Sequence, residues 1–206
     1  DDAAHIERIA ALGKVALVLI SHRHGDHTDG IDKLVDATGA VVRSVGSGFL
    51  RGLGGPLTDG EVIDAAGLRI TVLATPGHTA DSVSFLLDDA VLTADTVLGR
   101  GTTVIDDEDG SLRDYLESLR RLAGLGARTV LPGHGPDLPD IRDVAAMYLA
   151  HRQERLDQVR DALRELGADA GARRIVEHVY TDVDEKLWDA AEKSVQAQLD
   201  YLMSTD

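Results

Sequence analysis

Four times along this chain a short apolar run of strand character gives way to a tight turn carrying histidine or aspartate. The first is Val15 to Ile20, a continuous apolar run that reads as a buried strand, followed by His22-Arg23-His24-Gly25-Asp26-His27. The second is Leu68 to Ala74, which runs into Thr75-Pro76-Gly77-His78-Thr79. The third is Ala90 to Thr93, leading to Ala94-Asp95-Thr96, and the fourth is Thr129 to Leu131, ending in Pro132-Gly133-His134-Gly135. Strand ends are where layered α/β folds build their sites, so four such ends point to one α/β domain with a shared site. A lone Asp is usually a turn residue, and Pro-Gly-His-Gly alone is a turn. Four elements in this order, each at a strand end, are far more specific than any one of them.

The residue types restrict the chemistry. The chain has no cysteine, so disulfides and thiolate metal sites are excluded and a metal must be held by imidazole and carboxylate. Five of the eight histidines lie in the strand-end turns. His22, His24 and His78 can form one three-histidine site with an open position. Asp26, His27 and His134 can form a second, with Asp95 suited to bridge the two. Gly25 is expected to permit the sharp turn at the centre of the first cluster. His5, His151 and His178 have no ligand-type spacing around them and read as hydrogen-bonded surface residues. Zn2+ is the expected metal, two ions per chain, with Fe or Mn as the other candidates.

The rest of the chain organises around these turns. Helices are expected over Ala3 to Leu12, Ile31 to Ala37 and, with Ser111 as N-cap, Leu112 to Ala123. Val41 and Val42 form a short strand, Glu61 to Ile63 another, and Ser82 to Leu87 pairs with Ala90 to Thr93 around Asp88-Asp89. Gly-rich Ser44 to Gly60 is a mobile loop or lid candidate. After Leu138 the texture becomes helical. Pro139 to Gly167 reads as one long charged helix with at most one break, and Ala170 to Tyr180 and Val183 to Met203 as two more. The expected division is a catalytic domain over 1–137, a connecting helix over 138–166 and a small helical domain over 167–206.

Net charge is −15, from 21 basic and 36 acidic residues, which argues against avid non-specific binding of nucleic acid. The longest apolar run is far too short to span a membrane, and no signal peptide is visible, so a cytoplasmic location is expected. Homodimer formation is also an expectation, with no sequence feature that argues it.

The pattern His22-x-His24-x-Asp26-His27, then His78, Asp95 and His134, resembles the full metal signature of the metallo-β-lactamase superfamily. That resemblance implies an αββα sandwich with the site at one edge of two packed sheets. It also implies a metal-bridged hydroxide that attacks a carbonyl or phosphorus centre, with Asp26 ligating one metal and orienting the hydroxide. Asp26 and His24 are the catalytic candidates, and replacing either by Ala is expected to remove metal and activity together. Thr75-Pro-Gly-His-Thr79, Asp95-Thr-Val-Leu-Gly-Arg-Gly-Thr-Thr103, Leu131-Pro-Gly-His-Gly-Pro136, His151-Arg152 and the ending Ile175 to Leu202 are similar to the beta-lactamase-like protein 2 group. This implies a small winged-helix-like domain after the sandwich. It also implies single-stranded endoribonuclease or acyl-carrier thioesterase activity. Members of the superfamily normally carry several strands before the first helix seen here, and those N-terminal strands are expected to be missing.

Relatives differ in detail. The oxygen-reducing diiron branch has Glu where this chain has His24, and class B β-lactamases often use Cys, so both are poor matches. Two substrates remain in balance. Single-stranded RNA draws support from Arg152, Arg155, Arg160, Arg173 and Arg174, although those arginines read first as a solvated helix face paired with Glu154, Asp157 and Asp161. A thioester or other small acyl substrate draws support from the acidic surface and from an aromatic content of only 3%. The alternatives are a glyoxalase II-like thioesterase and a non-catalytic metal-binding or nucleic-acid-binding module. The C-terminal helices are expected to be a packing unit covering the site mouth rather than a nucleic-acid reader, because they carry more acid than base.

Overall fold

The computed structural model describes residues 2–181 and 184–205; Asp1, Asp182, Val183 (the expected start of the last helix) and Asp206 lie outside them. Helix α1 (Ala3–Ala11) starts at Asp2, whose carboxylate accepts from Ala4 N and His5 N. It packs on α3 (Ile31–Thr38), which ends at left-handed Gly39. These helices flank a two-stranded parallel sheet, β1 (Val18–Leu19) with β2 (Val42–Arg43). The long buried strand expected from Val15 is therefore shorter and only half-buried. Pairing begins where β2 begins, with Val18 N donating to Val41 O and Ile20 N to Arg43 O. A ladder extends only as far as its partner does.

The second sheet has the order β3 (Val62–Ala65), β4 (Leu68–Ala74), β5 (Val83–Leu86), β6 (Ala90–Ala94) and β7 (Thr129–Pro132). It is antiparallel except for β6–β7, which is parallel because α4 (Leu112–Ala123) makes the crossover. One face of this sheet meets the first through Leu57, Ile63, Val72, Val83 and Phe85 against Leu17 and Leu19. Leu68, Leu92 and Leu131 are exposed large apolar residues. The other face, through Val91 and Val130, packs on α4 and on α5 (Ile141–Leu166). The result is helices, sheet, sheet, helices: the expected αββα sandwich with a mixed second sheet.

The Gly-rich segment is pinned rather than a free lid. Arg43 binds Gly55 O, Pro56 O and the carboxylate of Glu61, and Leu57 is buried. Helix α5 is unbroken and capped by Asp140. It is not solvated all round: Ile141, Ala145, Tyr148, Arg152, Leu156, Val159 and Ala162 are buried. Helices α6 (Ala172–Val179) and α7 (Trp188–Thr205) pack on each other and on α5, and α7 also touches α4. No helix among the described residues is long and apolar enough to cross a membrane.

Candidate metal centre

The four strand ends meet. His22 follows β1, His78 lies between β4 and β5, Asp95 follows β6 and His134 follows β7. His24 precedes, and Asp26 and His27 lie within, the one-turn helix α2 (Gly25–Thr28). Gly25 has no positive φ, so the turn does not need its freedom. Its lack of a side chain matters instead, because a Cβ there would press at 3.0 Å on the carboxylate of Asp29.

The seven expected residues form two linked groups. His24 Nδ1 lies 3.1 Å from His22 Nε2 and 3.0 Å from His78 Nε2. His134 Nε2 lies 3.0 Å from Asp26 Oδ2 and 3.4 Å from His27 Nε2. Asp95 sits between them. Its Oδ2 is 3.8 Å from His78 Nε2 and 3.5 Å from His134 Nε2, and its Oδ1 is 3.4 Å from His27 Nε2. His22 and His78 are buried, while Asp26 and His134 open to solvent, so the centre has a dry floor and a wet mouth.

Two features of the chain fit a divalent cation at each group. The first is Asp95 Oδ1, a buried oxygen that accepts no hydrogen bond among the described residues. Such an atom costs free energy unless a cation or water meets it. The second is the convergence of imidazole nitrogens 3.0–3.4 Å apart, a donor set suited to a shared cation. Gly133 keeps this space open, since a Cβ there would collide with Asp95 Oδ1 and crowd the His27 ring.

Electrostatics suit the same role. Burial, reinforced by His27, His78 and His24 nearby, pulls the His22 pKa down to about 3, so the ring is neutral and free to ligate. Asp95 is held below the usual carboxylate range: burial opposes this, but the contact with His27 and the charges of His27 and His134 outweigh it. Asp95's carboxylate in turn raises the pKa of His27. Ala94, just before Asp95, has φ of 44°, a left-handed strain placed at a register shift in β6. Strain of this kind costs about 1–3 kcal/mol and is retained where surrounding structure demands it.

Sequence reading missed the outer contacts. His24 Nε2 donates to Asp106 Oδ2 at 2.8 Å, His78 Nδ1 to Val104 O at 2.7 Å, and His22 Nδ1 meets Ser21 Oγ at 3.1 Å. Arg23, between two histidines, turns outward to Asp106, Glu108 and Asp109. Burial opposes the ionised form of Asp106, but hydrogen bonds from Glu108 N and His24, with the charge of Arg23, bring its pKa down to about 2. A signal was present: a guanidinium inside a ligand turn must be neutralised, and Asp106 to Asp109 is a run of acids.

The fold and the site together define an αββα sandwich with candidate metal donors at four strand ends. Residues 6–134 match the metallo-beta-lactamase superfamily, to which this chain belongs, and residues 172–206 match the beta-lactamase associated winged helix domain. The chain is 32% identical over 178 residues to the Beta-lactamase-like protein 2 homolog of Caenorhabditis elegans, covering 82% of this chain and 58% of that protein. It is 33% identical over 152 residues to the Lactamase-like protein nscB of Trichophyton equinum, covering 73% and 45%. Among solved structures, a metallo-beta-lactamase family protein from Thermus thermophilus superposes with a TM-score of 0.79 at 25% identity, over 98% of this chain and 80% of that one. The chain spans about half the length of the curated relatives it matches.

Proposed function

We propose that this chain is a zinc-dependent hydrolase with two metal ions, acting on a thioester or related small acyl substrate. The observation that carries it is the pair of donor groups sharing the region of Asp95, each with its atoms within 4.8 Å of one another. His22, His24 and His78 hold one ion; Asp26, His27 and His134 hold the other; Asp95 lies between. Bound there, two divalent cations supply Lewis acidity and lower the pKa of water toward neutrality. Asp26, more than half exposed at the mouth, is placed to accept a hydrogen bond from the attacking water and hold it toward a carbonyl carbon.

The acyl reading is favoured over single-stranded RNA by the fate of four of the five candidate arginines, all but Arg174. Arg152 is buried, and Arg155 lies over the ring of Tyr180. Arg160 pairs with Asp157, and Arg173 with Asp189 and Glu192. Backbone phosphates would have to displace these partners.

The test is zinc content and turnover measured together. About two zinc ions per chain, with faster turnover of a short-chain acyl thioester than of a single-stranded oligoribonucleotide, is the expected result. RNA cleavage with the thioester untouched would move the reading to phosphodiester chemistry. Zinc bound without either turnover would make the chain a binding module.

A further inference from the structure

We propose that Asp106 is a positioning residue of the metal centre: one carboxylate oxygen fixes the tautomer and orientation of His24, and the other turns Arg23 away from the metals. The inference rests on the metal reading above. It concerns a residue far from the ligands in sequence, in the segment between β6 and α4.

His24 is the ligand candidate that presents Nδ1 inward, whereas His22 and His78 present Nε2. An imidazole ligates through one nitrogen only if the proton sits on the other. Asp106 Oδ2, 2.8 Å from His24 Nε2, holds the proton there. His22 and His78 rest on a hydroxyl and a backbone carbonyl, so among the described residues His24 alone of this trio leans on a side-chain charge. Asp106 is itself fixed: Oδ1 accepts from Arg23 Nη2 at 2.8 Å and from Glu108 N at 2.8 Å, and the side chain is 15% exposed.

The same carboxylate solves the problem posed by Arg23. A guanidinium flanked by two metal-facing histidines repels a dication if it swings inward. Its Nη2 goes to Asp106, Nη1 to Glu108 at 3.2 Å and Nε to Asp109 at 3.2 Å. Asp109 also accepts from Ala80 N, tying the segment to the turn that carries His78. Asp106 is the member of this set that touches both the cation and a ligand.

The experiment compares wild type with Asp106→Asn, Asp106→Ala and Asp109→Asn. Zinc affinity is measured by chelator competition, alongside the ring-nitrogen NMR signals of His24 and the melting temperature of the metal-free chain. Asp106→Ala is expected to weaken zinc binding about 10–100-fold, and Asp106→Asn, which keeps an acceptor oxygen, by less. In Asp106→Ala, His24 should lose its single tautomer, and in both variants the metal-free melting temperature should hold. Asp109→Asn, which loosens Arg23 but leaves the His24 bond, should stay within about threefold of wild type, well short of that loss. Unchanged affinity in Asp106→Ala overturns the inference. So does an equal loss in Asp109→Asn, which would make the effect one of charge alone, and so does a retained tautomer in Asp106→Ala. A wild type that binds no zinc overturns the metal reading instead.

Discussion

Gly133 shows what one hydrogen atom in place of a methyl does at this centre. It sits in the turn after β7, next to His134, and its missing Cβ leaves the space into which Asp95 Oδ1 points. Gly133→Ala keeps the chain's charge and every donor atom, yet must push Asp95 and the His27 ring apart. The expected result is loss of one of two zinc ions, the one held by Asp26, His27 and His134, with the three-histidine ion retained. Zinc stoichiometry by elemental analysis checks it, and two ions per chain in the variant would mean that the turn simply yields. At this scale the sequence showed which residues would converge. Histidine and aspartate in strand-end turns have few other uses at that density, and all seven converge. It was not legible for their supports. Asp106 and His24 are 82 positions apart, and no local pattern joins a carboxylate to the histidine it will orient. His178 pairs with Glu165, in keeping with a surface role. His151 departs from that expectation: its Nδ1 is buried without a hydrogen bond among the described residues.

Helix α5 illustrates the same contrast at the scale of an element. Its arginines read first as a solvated face, and its helicity was plain. Yet its buried residues Tyr148, Arg152, Leu156 and Val159 recur at helical spacing on one face. Arg152 occupies the inward stripe, a signal in the sequence that composition concealed. Its guanidinium donates to Thr103 O and lies 5.1 Å from the ring centre of Tyr115. Thr103 Oγ1 in turn donates to Asp95 O at 2.7 Å, and Tyr148 bonds Leu98 O and Gly101 O. So α5 straps the segment that begins with Asp95. Arg152→Ala removes a charged hydrogen bond and leaves a hole beside Tyr115. A cost of about 3 kcal/mol is expected. For a chain of this size that is a fall of roughly 6–12 °C in melting temperature. Arg152→Met, which refills the space, should recover part of it. Metal-free melts measure both, and a change below about 2 °C in Arg152→Ala would show that the strap carries no stability.

At the scale of the whole molecule, one buried cluster spans the boundary expected near residue 167. Val91 and Val130 of the sheet, Leu116 and Leu119 of α4, and Leu156 and Val159 of α5 belong to one buried cluster. Ile175 and Val176 of α6 and Val195, Leu199 and Leu202 of α7 belong to it too. Sequence reading separates these stretches because a periodic stripe shows that a helix has an apolar face, and not which element covers it. A fully buried Ile175 couples α6 to α5, which packs on the sheet. If the coupling is as continuous as the packing, the C-terminal helices do not melt ahead of the sandwich. Ile175→Ala, which deletes buried methyl groups, should cost about 2–4 kcal/mol. That loss should appear as a shift of a single calorimetric transition, since ion pairs such as Lys193–Asp107, both partners more than half exposed and screened by water, contribute little. The alternative is a hinged pair of units, in which Ile175→Ala would split off an early transition belonging to α6 and α7 and leave the main peak in place. Scanning calorimetry of the full chain, with tryptophan fluorescence reporting on Trp188 at the start of α7, distinguishes the two. Coincident midpoints by both probes support one cooperative body, and an earlier fluorescence midpoint would show that the helical end is held to the sandwich more loosely than its buried contacts imply.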